Sequence, residues 1–225
     1  MDIFSDFELT ADRVAELLLV PPSEYAVHLQ RWFDDDQRTV KRRGYYRPTY
    51  EAVDDLHQRR CLVEDLRARM DGWRLDAAVN AGARDQMNHN IRATTQYLGQ
   101  HGERELLVFT RQRLEAVAAS VLVTAKPQMF VQEGGMPLRI WHDCSETFRD
   151  DYLNAKCNVA LWAARRMRVV DAQVEAIHPA SGRIVARAVL PARFDERIEA
   201  VCAVVNREWE RLRAAGRRPR PNRNV

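Results

Sequence analysis

The sequence predicts an α+β fold, in which a helical N-terminal region is followed by a mixed β-sheet core flanked by helices. Apolar residues recur at helical spacing through the first half of the chain, whereas alternating runs joined by glycine-containing turns appear in the second half. A chain of 225 residues with 46% hydrophobic residues is long enough to bury a sizeable core. We therefore expect a helical region at 1–102, an α/β core at 103–215 and a basic flexible tail at 216–225.

The N-terminal region is predicted to consist of helices separated by one polar segment. A first apolar stripe, at 14–18, stops at Pro21 and Pro22, because proline lacks an amide donor and disfavours helix in the residue before it. Residues 34–48 are polar, then basic, then aromatic, and Gly44 interrupts them, which indicates a loop or a short extended segment. The helical pattern elsewhere predicts helices at 25–33, 50–75 and 77–98.

The last hundred residues are predicted to follow the order strand, strand, helix, strand, strand, helix. A Glu-Gly-Gly turn at 133–135 and a Ser-Gly turn at 181–182 each join two strand-like runs, which is typical of β-hairpins. Amphipathic patterns predict helices over 151–167 and 194–212. The run at 116–124 is rich in β-branched residues, and its period is compatible with either helix or strand.

Composition narrows the class of protein. The 35 basic and 32 acidic residues nearly balance, so the net charge of +3 does not by itself imply a polyanionic partner. The acidic start MDIFSDFELT lacks the features of a signal peptide, and no apolar run approaches membrane-spanning length. The four cysteines are widely spaced and form no CxxC motif. We therefore expect a cytoplasmic protein with reduced thiols and no membrane partner.

One succession of segments carries a resemblance to a known family. The run KPQMFVQEGGMPLRIWHDCS, a short polar loop, the run NVALWAA, a hairpin and a C-terminal helix follow one another. This order resembles the restriction-endonuclease-like core of the PD-(D/E)XK nucleases, of the RecB and CRISPR-adaptation exonuclease type. The resemblance covers roughly residues 105–212 and depends on order and spacing. In that family two carboxylates hold Mg²⁺ and a lysine positions or activates the attacking water.

The positions that correspond to the family's catalytic residues hold other residue types here. Where the family has an aspartate after proline, this chain has Gln128. Where the family's next strand ends in an acid, a spacer and a lysine, the chain has His142, Asp143 and Cys144. Where the family's helix has glutamine and tyrosine, the chain has Asn158 and Trp162. Magnesium requires hard oxygen ligands, and neither imidazole nor thiol is one. The resemblance therefore implies a degenerate site with no catalytic residues, no metal and no cofactor.

Two basic tracts are candidates for binding nucleic acid. Arginine and lysine contact phosphates without reading sequence, and tyrosines stack on bases. The predicted binding residues are Lys41, Arg42, Arg43, Tyr45 and Tyr46 in the first tract, and Arg217, Arg218 and Arg220 in the tail. Two alternatives are a tyrosine pair that packs on the helices and a tail that only solubilises the chain. The arginines at 165, 166 and 168 also fit the solvated face of a helix.

The leading hypothesis is a non-catalytic, nuclease-like module that binds nucleic acid, with DNA expected, or serves as an accessory subunit in a nucleic-acid-processing or phage-defence assembly. A second hypothesis is a divergent, active Mg²⁺-dependent nuclease that uses Asp143, Glu146 and Glu115. A third is a protein-interaction scaffold without nucleic-acid binding. Less favoured alternatives are a zinc site from His142 and Cys144 with Cys157 or His178, and a hydrolase nucleophile at Cys144 or Cys157.

Overall fold

The structure is a computed structural model, and it describes residues 8–34, 45–109, 113–142, 149–169 and 172–216. These ranges form the predicted α+β fold, with two mixed sheets flanked by helices. The strands are β1 (Glu8–Thr10), β2 (Leu107–Phe109), β3 (Leu114–Ala118), β4 (Val121–Ala125), β5 (Met129–Glu133), β6 (Met136–His142), β7 (Gln173–His178) and β8 (Arg183–Arg187). The helices are α1 (Ala11–Leu18), α2 (Tyr25–Asp34), α3 (Arg47–His57), α4 (Val63–Val79), α5 (Arg84–His101), α6 (Asp150–Arg166) and α7 (Phe194–Ala214).

The strands form one three-stranded and one five-stranded sheet. The smaller sheet has the order β1-β4-β3, with β1 parallel to β4 and β3 antiparallel to it. The larger sheet has the order β2-β5-β6-β7-β8, and its strands are antiparallel except for the pair β6 and β7. A parallel pair needs a crossover connection. Helix α6 supplies that connection.

Helix α6 is buried between the two sheets. It contacts β7 and β8 of the larger sheet and β3 and β4 of the smaller one. Every side chain from Val159 to Ala164 is buried, which is the pattern of a helix enclosed by protein on all sides. Trp162 is the largest of these side chains, and its indole N–H donates to Asp195 Oδ1 at 2.7 Å, in the first turn of α7. Helices α1 and α7 complete this first core.

A second core lies on the other face of the larger sheet. Val53 of α3 and Tyr97 of α5 pack there with strand residues that include Leu138 and Ile140. The turn between β7 and β8 approaches α5 closely at Gly182, which has φ +67°. A Cβ at this position would lie 2.7 Å from the Gln96 carbonyl oxygen, so the turn requires glycine.

Strand β1 and helix α1 belong to the first core. Strand β1 pairs with β4, more than a hundred residues later, and Leu9, Val14 and Leu17 are fully buried in this core. Contacts therefore cross the predicted boundary at residue 102. The N-terminal region also contains a strand in addition to its helices.

Most predicted elements of the second half are confirmed. The two hairpins and the two helices occur in the predicted order, and Gly134 and Gly135 have φ of 55° and 85°, as the first turn requires. The ambiguous run at 116–124 forms β3 and β4, joined by a tight turn in which Ala119 and Ser120 both have positive φ.

The single helix predicted at 50–75 is wrong, because the chain forms two helices there. Helix α3 ends at His57, and Arg59 adopts the left-handed conformation with φ 54°. The Arg60 amide bonds the Asp55 carbonyl and the Arg59 amide bonds the Leu56 carbonyl, which is a Schellman termination. Glycine usually occupies the left-handed position, so an arginine there gives no sequence signal. The helix predicted at 77–98 is observed as α5, at 84–101.

Helix α6 ends in the same way, and this termination generates a prediction. Arg168 has φ 62°, and the next amide, of Val169, bonds the Ala164 carbonyl at 3.0 Å. At the end of α7 the equivalent left-handed position is held by Gly216. We expect Arg168→Gly to raise the free energy of unfolding by about 0.5–1 kcal/mol, because glycine adopts this conformation without steric cost. Urea denaturation measures the change. Arg168→Ala is the control and should give no gain, and a gain with alanine would contradict the backbone explanation.

Candidate functional site

The outer half of the larger sheet carries an aromatic row, formed by Phe109, Phe130 and Arg139. These residues lie on the adjacent strands β2, β5 and β6 and face one another directly in register. The Phe109 and Phe130 ring centroids are 5.3 Å apart, and the Arg139 guanidinium lies 4.5 Å from the centroid of the Phe130 ring. Phe109 is 42% exposed, and Leu107 two residues earlier is 57% exposed. An aromatic surface is therefore open to solvent at this end of the sheet.

Arg139 supports this row from within the protein. Its side chain is buried, and burial lowers the pKa of the guanidinium from its ordinary value. Stacking of the cation on the Phe130 ring returns part of the lost hydration energy, since a ring face is electrostatically negative. The stack also holds the Phe130 ring in place beside Phe109.

A cavity of about 490 Å³ lies beside β2, and we call it the β2 cavity. The C-terminal end of α3, the edge strand β2 and the start of β5 supply its lining: Asp54, His57, Gln58, Arg59, Arg60, Leu106, Leu107, Val108, Phe109, Gln128 and Met129. Phe109 belongs to both the cavity and the aromatic row. Arg59 and Arg60 are exposed, and a helix C-terminus is a favourable place for cations.

The wall of the cavity leads to a buried polar cluster between α3, α5 and the sheet. His57 Nε2 lies 2.8 Å from the Tyr97 hydroxyl, and the Tyr97 and His101 rings are 5.0 Å apart. Burial, together with the nearby charge of Arg104, lowers the pKa of His57 to about 4. Burial also lowers the pKa of His101 and raises that of the Tyr97 hydroxyl. The neutral His57 ring and the Tyr97 hydroxyl thus share one buried hydrogen bond.

Arg104 connects this cluster to two carboxylates. Its Nε and Nη2 donate to Glu133 at 2.8 and 2.7 Å, and its Nη1 donates to Glu175 at 2.6 Å. The hydrogen bonds from Arg104 hold the pKa of Glu133 below its usual value. Glu133 ends β5 and Glu175 lies within β7, so Arg104 ties the loop after α5 to two strands of the sheet. Arg104 pairs with both carboxylates and Arg187 Nε lies 3.9 Å from Glu175 Oε2, so two cations face two anions and the cluster holds the strands together.

Gln128 and the backbone of His142 lie at the same end of the two neighbouring strands β5 and β6. Gln128 precedes β5, and β5 is antiparallel to β6, which ends at His142. For His142 the structure describes the backbone alone, and Asp143 and Cys144 lie outside the described residues. Asn158 does not lie at this end of the sheet. Its Oδ1 accepts from the Val189 amide at 2.8 Å, next to the start of β7, and so fixes the chain that leaves β8.

The tyrosines of the first basic tract pack on α5. The Tyr45 hydroxyl lies 2.6 Å from His89 Nδ1, and the Tyr45 and Tyr46 rings are 5.0 Å apart. The Tyr45 carbonyl accepts from the side chains of Gln86 and Asn90. These contacts agree with the alternative in which the tyrosines pack on the helices. Base stacking by Tyr45 and Tyr46 stays a prediction. The basic residues of both tracts, Lys41, Arg42, Arg43, Arg217, Arg218 and Arg220, lie outside the described ranges.

The zinc-site, nuclease and cysteine-hydrolase alternatives each require a metal site or a reactive thiolate, and the described residues form neither. No three His, Cys, Asp or Glu side chains converge there as a metal centre requires. Glu115 lies in the smaller sheet, with Oε1 2.5 Å from Arg113 Nε, and Glu146 is not described. Cys157 is a free thiol in the first core, and burial raises its pKa to about 12. His178 Nδ1 lies 2.8 Å from the Ser181 hydroxyl oxygen.

The residues that sequence reasoning missed are Phe109, Phe130, Arg59 and Arg60. Both phenylalanines stand in runs recognised as strand-like, but only the pairing register shows that they are neighbours. Arg59 and Arg60 stood within a segment predicted as one continuous helix. The detectable signal was the Arg59-Arg60 pair itself.

Comparison with protein-family models, curated proteins and solved structures finds no match for this chain. The resemblance to the PD-(D/E)XK core therefore stays a prediction. Among the described helices, none is both long enough and apolar enough to cross a membrane.

The buried histidines predict a loss of stability in mild acid. His57 has a folded pKa of about 4 against 6.5 in the unfolded chain, so the unfolded state binds more protons between these values. The contribution of His57 to the free energy of unfolding is fully present above pH 6.5, and it decreases as the pH falls towards 4. The free energy of unfolding should drop by about 2 kcal/mol from pH 7 to pH 5, and His101 adds to the drop. Urea denaturation at several pH values should show a shallower drop in His57→Gln, and an unchanged slope would contradict this role.

The Arg104 pairing predicts a large effect of one substitution. Arg104→Met leaves Glu175 buried without its main partner, so we expect a loss of about 3 kcal/mol in the free energy of unfolding. Thermal and urea denaturation measure the loss. Arg149→Met breaks an exposed pair with Asp151 and is the control, with almost no expected shift. Equal effects of the two substitutions would show that the Arg104 pairs contribute no more than exposed ones.

Proposed function

We propose that this chain is a non-catalytic nucleic-acid-binding module, and that a single-stranded segment binds across the aromatic row and the β2 cavity. The supporting observation is the pair of partly exposed phenylalanine rings on the α6 face of the sheet, together with the exposed arginines Arg59 and Arg60, which line the β2 cavity with Phe109 at the edge strand. Bases stack on aromatic faces, and guanidinium groups contact phosphates. The expected nucleic acid is DNA, as the family resemblance implies.

The arrangement favours a single strand over a duplex. An aromatic ring on a sheet surface stacks on a base only when that base is not already stacked between its neighbours. Phe109 and Phe130 offer adjacent ring surfaces at the edge of the sheet, where a flexible strand has access. A rigid duplex presents phosphates and groove edges instead, and Arg59 and Arg60 are the only part of this site that would contact them.

Gln128 supports the proposal that this chain binds nucleic acid and does not cleave it. In the resembling family an aspartate at the corresponding place holds a metal, and without the metal it would repel a phosphate. Gln128 lines the β2 cavity and carries no charge, so it needs no metal to tolerate a nearby phosphate. We therefore propose that binding does not depend on Mg²⁺. A place as accessory subunit in a nucleic-acid-processing or phage-defence assembly is the wider proposal that the resemblance supports.

Fluorescence anisotropy with labelled single-stranded and duplex DNA and RNA, in EDTA and at two salt concentrations, tests this function. Single strands should bind more tightly than duplexes of the same length. Phe109→Ala should weaken single-strand binding by about 5–100-fold, the range for loss of one stacked base. Val117→Ala, at an exposed apolar position of the smaller sheet, is the matched control and should leave affinity unchanged.

The electrostatic part of the proposal is tested by salt dependence. Arg59→Gln and Arg60→Gln should each reduce the slope of log affinity against log salt by about 0.7, as loss of one phosphate contact does for single strands. Arg47→Gln, at an exposed arginine paired with Glu51, is the control. Removal of residues 216–225 should flatten the slope further if the tail binds phosphates.

Three outcomes would contradict the proposal at different points. No binding to any probe at low salt would exclude the nucleic-acid function and favour the protein-interaction scaffold. Binding that is unaffected by Phe109→Ala and by both arginine substitutions would place the contact elsewhere on the chain. Cleavage of a labelled strand on addition of Mg²⁺ or Mn²⁺, abolished by Asp143→Ala, would establish the divergent nuclease instead.

A further inference from the structure

Helix α4 carries two apolar stripes on opposite sides. The inner stripe packs on α5 and α3 and consists of Leu66, Met70, Trp73 and Ala77. The outer stripe is offset by two residues, or about 200° around the helix, and consists of Ala68, Gly72, Leu75 and Val79. Its two large members are strongly exposed, with Leu75 at 70% and Val79 at 85%. A helix already packed on one side thus presents a second apolar face to solvent.

Gly72 indicates what kind of partner this outer stripe fits. It lies in the middle of α4, where glycine costs roughly 0.5–1 kcal/mol relative to alanine. A Cβ built at this position meets nothing within 4 Å, so no contact within the described protein requires glycine. A missing side chain at the centre of an exposed apolar stripe lets another backbone approach closely. The partner surface is therefore expected to be an extended element such as a helix.

We propose that the outer stripe of α4 binds the same stripe of a second copy of this chain, with the two helices antiparallel. The stripe residues have spacings of four, three and four, which is the pattern of alternating d and a positions in a coiled coil. In an antiparallel pair, Gly72 then faces Leu75 of the second copy, and Ala68 faces its Val79. Each layer combines a small residue with a large one, so the stripe is complementary to itself under two-fold symmetry.

The charges beside the outer stripe favour the antiparallel orientation. Arg69 and Asp76 are seven residues apart and therefore flank the stripe on the same side. In the antiparallel pair Arg69 of each copy comes opposite Asp76 of the other, which gives two attractive contacts. In a parallel pair Arg69 would come opposite Glu64 of the other copy, but Asp76 would come opposite Asp71, so two pairs of like charges would meet. Arg69 bonds Asp55 through Nη1 at 3.0 Å, and its guanidinium has further donors to offer.

The size of this surface predicts a weak dimer. Helix α4 has 17 residues and is therefore about 25 Å long. One helix pair of this length lies at the low end of the size range of specific interfaces. We expect a dissociation constant on the order of 10–100 μM. The dimer is independent of the proposed nucleic-acid site, because the outer stripe shares no residue with the aromatic row or the β2 cavity.

Sedimentation equilibrium of the full chain without nucleic acid, over a concentration series that spans this range, tests the proposal. We expect a reversible equilibrium between monomer and dimer. Gly72→Gln should weaken dimerisation at least about tenfold while it raises the melting temperature of the monomer, because glutamine favours helix and blocks close approach. Leu75→Glu should also weaken it. Val189→Gln, at another exposed apolar residue, is the control and should change nothing.

Cysteine cross-linking tests the orientation, in a background with Cys61 and Cys144 replaced by serine. A mixture of Ala68→Cys and Val79→Cys chains should form a disulfide-linked heterodimer on mild oxidation, faster than either variant cross-links to itself. A chain that stays monomeric over the whole concentration series would overturn the proposal. A dimer unaffected by Gly72→Gln and Leu75→Glu, or faster self-linking of the Ala68→Cys chain, would overturn it as well.

Discussion

Helix α6 lies buried between the two sheets, and both the pairing of the strands and the position of the open surface follow from its place there. The parallel pairing of β6 with β7 requires a crossover, and α6 provides it while it fills the space between the sheets. A helix is about 10 Å wide and neighbouring strands are about 4.8 Å apart, so one helix covers about two strands. Its contacts with the larger sheet are concentrated on β7 and β8. The aromatic row, at the β2 end of the same face, remains partly open because one helix is too narrow for five strands.

The second core determines where the arginines of the candidate site stand. Helix α3 is held at both ends by α5: Asn90 Oδ1 accepts from the Thr49 amide at 3.0 Å, and Tyr97 bonds His57 in the last turn. Because Arg104 fixes the loop after α5 to the sheet, α3 cannot shift without breaking buried polar contacts. The left-handed Arg59 then ends α3 beside β2. The polar cluster thus positions the wall of the β2 cavity.

Local sequence signals predicted the elements of the second half, because the turns at Gly134 and Gly182 need a residue that adopts positive φ, and glycine marks them in the sequence. They missed the break at Arg59, since an arginine occupies the left-handed position that glycine usually holds, and the Arg59 and Arg60 amides still make the Schellman hydrogen bonds. The pairing of β1 with β4 and of Phe109 with Phe130 joins residues distant in sequence, and no local pattern encodes such a register. The same limit applies to Asn158, which was assigned to a degenerate site and instead bonds the Val189 amide.

The near balance of basic and acidic residues constrains how such a module would bind. Asp54 and Asp55 stand beside Arg59 and Arg60 at the end of α3, so the local positive charge is partly compensated. Attraction of phosphates to the described site is therefore modest, and stacking on Phe109 and Phe130 must supply most of the affinity. In the sequence, a run of arginines with no acidic residue stands at the C-terminal tail, and on the proposed function these arginines would add attraction to any polyanion by charge alone. On the proposed function, selectivity for a single strand would therefore come from the sheet, and sequence-independent attraction would come from the tail.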